Sequence, residues 1–183
     1  FTLIKKTDWL IWQLLTKRIA NAKKMLPEDW GSGYPNVWMG ATVVNQEEAD
    51  RDIPKLLKIP AKLYWLSIEP QLGPINLLNA QSGYDDGGYR RPLLTNARIK
   101  WAVYGGESGS LDKVRPFDID WARDGIRQCR DTGIAVFMKQ MGARTFMDPK
   151  DGDPLLRTFN HAEAADPEKW PSDVRIQEFP EWK

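Results

Sequence analysis

The chain has 183 residues, a length suited to one domain, and 26 Lys+Arg against 25 Asp+Glu give it a formal net charge of +1. With 42% hydrophobic and 28% charged residues the composition is that of a globular chain able to bury a core, which excludes a disordered, a collagenous and a disulfide-scaffold chain. No run of about 18 apolar residues is present and no charged-then-apolar leader precedes a small-residue cleavage site, so the sequence predicts neither a membrane span nor a secretory segment. The single cysteine, Cys129, permits no internal disulfide and builds no Cys-based metal site; the single histidine, His161, builds no His cluster. The charge is unevenly spread: residues 1–30 carry six bases and three acids, residues 31–144 fifteen and thirteen, and residues 145–183 five and nine. None of these blocks is basic enough to argue nucleic-acid binding by charge alone, although a nucleic acid partner stays open. The 9 Trp read either as packing or as a stacking surface for a ring. The chain opens with Phe1 rather than Met, which reads as a piece of something longer.

Along the chain, apolar and strand-like runs occur at Leu10–Leu15, Val37–Val43, Leu63–Ile68, Trp101–Tyr104 and Ala135–Met138. Each is nearly continuous rather than alternating, the pattern of strands buried on both faces. Helical stripes lie between most of them. Ile19, Ala22, Met25 and Leu26 share one face; so do Ala49, Ile53, Leu56 and Leu57, a segment that Pro54 is expected to break in two. Ile119, Ala122, Ile126 and Cys129 form the cleanest stripe, with Asp118 as N-cap and Gly133 as stop, which buries the Cys129 thiol. Strand–helix–strand units at this spacing predict an α/β fold with a parallel sheet, either doubly wound or part of a (β/α) barrel. Residues 79–98 read as a polar insertion loop. Residues 145–183 read as an irregular acidic tail of the same domain, strapped on by Trp170, Phe179 and Trp182.

The polar residues at the end of each run are informative. The runs end in Thr16-Lys17-Arg18, in Thr42 with Asn45 nearby, in Ser67-Ile68-Glu69-Pro70, in Gly105-Gly106-Glu107-Ser108-Gly109 and in Lys139-Gln140. In parallel α/β folds the carboxyl ends of the strands form the ligand face. These groups therefore either line one cleft or cap helices and pair with one another. The glycine-rich turn does not match nucleotide-loop spacing, but its N–H groups are able to approach an anion. Glu69, held extended before Pro70, either takes an amine or hydroxyl or pairs with Arg18, Arg115 or Lys139.

The series Leu15-Thr16-Lys17-Arg18, Asn36 to Gly40, Ser67 to Pro70, Trp101 to Gly109, Arg115-Pro116, Trp121, Cys129 and Phe137 to Gly142 resembles a phage and prophage protein family. That family is radical-SAM-like and distantly similar to the spore photoproduct lyases; the likeness runs from about residue 9 to 142. It implies a TIM-type barrel that binds S-adenosylmethionine, with a [4Fe-4S] cluster in a three-cysteine loop after the first strand. This sequence departs there: it has no such loop, and Cys129 alone cannot hold a cluster. The chain thus reads as the later, partial (β/α) barrel (residues 1–144), its opening strands expected upstream of Phe1. By this resemblance Thr42, Asn45, Ser67, Gly105, Gly106 and Ser108 are candidates for cofactor binding. Glu69, Glu107 and Lys139 are candidates for catalysis, and no residue is a candidate metal ligand.

Three functions are expected on these grounds. One is the later half of a radical-SAM-like phage enzyme of the bacterial host cytoplasm, acting on a small molecule such as a nucleobase or modified nucleotide. The second is a phage-encoded binding module with a degenerate barrel and no chemistry. The third is a cluster-independent enzyme holding a phosphorylated metabolite through Lys17, Lys139 and the glycine turn. The expected partners are the missing upstream strands or a second copy paired at the open sheet edge.

Overall fold

The structure, a computed structural model, describes residues 1–78, 98–147 and 155–181; the expected insertion loop at 79–98 and Trp182 fall almost wholly outside them. In chain order the elements are α1 (Thr2–Lys6), β1 (Trp12–Thr16), α2 (Ile19–Met25), β2 (Val37–Thr42), α3 (Gln46–Leu56), β3 (Leu63–Ile68), β4 (Ile99–Gly105), β5 (Phe117–Asp118), α4 (Ile119–Thr132), β6 (Ala135–Gln140), β7 (Arg144–Met147), β8 (Leu155–Thr158) and α5 (His161–Ala165). Among the described residues, five strands form one sheet in the order β1-β2-β3-β4-β6, every neighbouring pair parallel. The fold is therefore α/β with a central parallel sheet. Its described strands end at β1 on one side and β6 on the other.

The continuous apolar runs are explained by burial on both faces. Met39, Ala41, Leu66, Ile68, Ala102, Tyr104, Val136 and Met138 point to one side, where α2, α3 and α4 contribute Ile19, Ile53, Leu56, Ile119, Ile126 and Cys129 to the main core. Trp38, Leu63, Trp65, Trp101 and Val103 alternate to the other side and form a second cluster. There the Trp101 ring meets Trp65 at 5.3 Å, Trp38 at 5.9 Å and Phe137 at 6.0 Å, a row of rings across four strands. These tryptophans are packing residues, each buried. β1 alternates in exposure, Gln13 and Leu15 lying open at the edge of the sheet.

Four local expectations are corrected. α3 is one helix through Pro54, because the proline stands in its last turn, where it removes a single bond while Leu57 N–H still reaches Ile53 O at 3.1 Å. Met25 is 73% exposed, so the α2 stripe stops at Ala22 and Leu26 packs from beyond the helix. The first strand begins at Trp12 rather than Leu10; Leu10 closes a turn onto Thr7 O and is exposed. The tail is not irregular. β8 pairs antiparallel with β7, which pairs parallel with β5, and α5 opens with a complete capping box between Asn160 and Glu163. Two of the three expected aromatics, Trp170 and Phe179, anchor it to the body. Trp170 is buried with its Nε1–H on Ala164 O at 3.0 Å, and the Phe179 ring stacks on Trp101 at 5.3 Å. Residues 176–178 run antiparallel along β6, with Met138 N–H on Ile176 O and Glu178 N–H on Val136 O. α4 is capped as expected, by Asp118 at its start and a left-handed Gly133 at its end.

Candidate functional site

Parallel strands bring their carboxyl ends to one side of the sheet, and there the structure forms a cleft of about 300 Å³. Thr42 from the end of β2, Ser67 from β3 and Glu69 just after it, Glu107 and Ser108 after β4, and Lys139 from β6 all line it. Gly106 and Gln140 line it too, and Leu15 and Lys17 close it from the β1 side. Residues separated by nearly a hundred positions thus meet because each follows a strand of the same sheet.

The two carboxylates are held differently. Glu69 accepts from Lys139 Nζ at 3.0 Å and from Gln140 Nε2 at 2.6 Å, so Lys139 is its partner among the three bases considered from sequence. Gly105 lies between them on β4, and a methyl group there would come within 3.2 Å of the Glu69 side chain and 3.3 Å of Gln140. The missing side chain gives Glu69 its path across the strand. The Glu69–Pro70 peptide is cis. Glu107 is gripped by Arg115 through Nε at 2.9 Å, through NH2 at 2.7 Å and through the Arg115 backbone N–H at 2.8 Å. Those bonds hold its carboxyl down at about 2, with Lys17 adding a smaller pull in the same direction. Glu107 is consequently ionised at neutral pH and has no proton to give.

Thr42 is the unusual member. It is 3% exposed, and its hydroxyl oxygen has no hydrogen-bond partner. A buried hydroxyl left unpaired is costly, so a partner that completes its bonding at the cleft would relieve that cost.

Asn45 and Gly105 do not line the cleft. The Asn45 side chain accepts from Glu48 N–H at 2.9 Å and caps α3, while Gly105 acts through the space it leaves. Within the glycine turn, Gly106 N–H is spent on Gln140 O at 3.2 Å and is not available to an anion. Asn36 likewise works for the fold, its amide donating to the carbonyls of Ile4, Thr7 and Leu10. Gln140 stands in the sequence among the strand-end polar groups but is not one of the candidate site residues, although it comes directly after Lys139. Its signal was there only as the last polar residue after the fifth run.

Among the described residues, no group of three or more His, Cys, Asp or Glu is placed to hold a metal ion. Cys129 is fully buried against the Tyr104 hydroxyl, and burial pushes its thiol up to about 11. These residues do not fit an iron–sulfur cluster. No helix among the described residues is long and apolar enough to cross a membrane.

Fold and cleft together define a parallel α/β protein with a polar cleft at the carboxyl ends of its strands. Over residues 1–168 the chain matches the family described as Protein of unknown function (DUF5131), and it belongs to that family. No curated protein and no solved structure matches it.

Proposed function

We propose that this chain is the substrate-side portion of a radical-SAM-like phage barrel protein of the bacterial cytoplasm, and that its cleft binds a phosphorylated small molecule of nucleotide type. The observation that carries the binding reading is the convergence of Thr42, Ser67, Glu69, Glu107, Ser108 and Lys139 on one cleft in which the Thr42 hydroxyl is buried and unpaired. The charge balance gives the ligand its sign. Lys139 offsets Glu69 and Arg115 offsets Glu107, leaving Lys17 as surplus positive charge beside the hydroxyls of Thr42, Ser67 and Ser108. An anionic head with several acceptor oxygens suits that set. Motifs that carry the family resemblance, Ser67 to Pro70, Gly105 to Gly109 and Lys139-Gln140, line or adjoin this cleft, which supports the radical-SAM-like reading.

S-adenosylmethionine, when bound, supplies the radical source in that chemistry. Any cluster in that chemistry is held by residues outside this chain. One observation favours a second reading, a binding module without chemistry: both cleft carboxylates are already committed to cations, and neither is poised as a free base.

Two measurements test the proposal. Calorimetric titration with ribose 5-phosphate is expected to show binding that Lys17→Gln weakens about tenfold, the loss of one charged contact. No binding, or indifference to Lys17→Gln, overturns the phosphate reading. Iron and sulfide in the gene product purified anaerobically, with cleavage of S-adenosylmethionine on reduction, separate enzyme from binding module.

A further inference from the structure

A second pocket of about 560 Å³ adjoins the cleft, and Ser108 lines both. It lies between the turn at Ser108 to Leu111 and the tail residues Thr158 to Ala164. Its chemistry differs from that of the cleft. Phe159, Ala143 and Ala164, all buried, form apolar walls together with the half-exposed Leu111, while Ser110 and His161 stand at the rim. Apolar walls with hydrogen-bonding groups at the edge suit a flat heterocycle, whose faces are apolar and whose periphery carries donors and acceptors. The Ser110 hydroxyl donates to Asp112 and keeps its oxygen as an acceptor, and the exposed His161 ring adds a second polar group that an aliphatic chain would not use. The cleft beside it carries the surplus cation and hydroxyls, and it offers no comparable apolar wall for a ring.

We infer that the two cavities form one bipartite site, in which a nucleotide lays its phosphate in the cleft and its base against Leu111 and Phe159, with the sugar passing Ser108. The inference rests on the phosphate reading above and adds the base pocket, which the sequence did not indicate. It gives His161, the only histidine of the chain, a place at the edge of the base.

The test compares ribose 5-phosphate with adenosine and cytidine monophosphates by calorimetry on the whole chain, and repeats the comparison with Leu111→Glu. A base stacked in an apolar pocket adds at least about tenfold in affinity. At least one monophosphate is therefore expected to bind about tenfold more tightly than ribose 5-phosphate. Leu111→Glu, at an exposed turn where folding is not at stake, is expected to erase that difference. Equal binding of sugar phosphate and nucleotides, or an advantage that survives Leu111→Glu, overturns the base pocket and leaves the phosphate reading standing. If ribose 5-phosphate fails to bind, the phosphate reading falls, and the bipartite site, which rests on it, falls with it.

Discussion

Lys139 and Gln140 are consecutive on β6, yet both side chains donate to the same carboxylate, Glu69. Successive residues of a regular strand point to opposite faces. The register with β4 explains the exception: Tyr104 pairs with Met138 and Gly105 pairs with Gln140, so Lys139 is the extra residue of an irregularity. Such an insertion re-aims a side chain at the end of a strand. Here it turns a lysine and a glutamine toward one acceptor at the mouth of the cleft.

The two donors should not contribute equally. Lys139 is 57% exposed, so its pairing with Glu69 is worth only about 0–1 kcal/mol. Gln140 is more sheltered and donates at 2.6 Å to a charged acceptor, a bond worth about 1.5–3 kcal/mol. Double-mutant cycles by urea unfolding are expected to give a larger coupling for Glu69→Ala with Gln140→Ala than for Glu69→Ala with Lys139→Met. The reverse order would show that the ion pair, not the amide, holds the carboxylate.

Thr42→Val replaces a hydroxyl by a methyl of the same shape. Because the buried hydroxyl makes no bond, the variant is expected to be as stable as the parent or more stable by about 1 kcal/mol, while ribose 5-phosphate affinity falls. A clear drop in Tm together with unchanged affinity would mean that the hydroxyl serves the fold.

The Glu107–Arg115 pair predicts a specific acid response. The Glu107 carboxyl is depressed from 4.5 to about 2 by its bonds to Arg115, so its contribution is present above the unfolded value and is lost as pH falls through the folded one. Stability of the parent and of Arg115→Met should differ at neutral pH and converge between pH 4.5 and about 2. Curves that remain parallel through that window would show that Arg115 does not hold Glu107 in solution.

Gly40 faces the Trp65 ring across β2 and β3, and a methyl group there would overlap the indole. Gly40→Ala is expected to cost about 1–3 kcal/mol, the range for overpacking a buried site, with a matching change in tryptophan fluorescence. An unchanged Tm would mean that the ring row across the sheet repacks freely.

Much of the fold was legible in the sequence because burial on both faces leaves a strong local trace. Leu63–Ile68 reads as a central strand from its own six residues, and the Ile119–Cys129 stripe with Asp118 and Gly133 reads as a capped helix. Met25 and Pro54 misled for the same reason: exposure at a helix end and a proline's place within its last turn depend on the neighbours, not on the local pattern. The tail was misread because its strands are short. β7 and β8 span four residues each and are strands only by pairing, β7 with β5 and with β8.

The site divides in the same way. That polar residues stand after each apolar run, and that parallel strands carry them to one side, is determined by the sequence and the periodicity of burial. The pairings belong to the tertiary structure alone. Glu69 finds Lys139 across 70 positions because β4 lies between their strands and carries glycine at the crossing. The register irregularity in β6, the unpaired state of Thr42 and the pocket between Leu111 and Phe159 arise where segments distant in sequence come into contact. Local propensity sets which face of a strand or helix is apolar, but only the packed sheet sets which side chains are left to meet at its end.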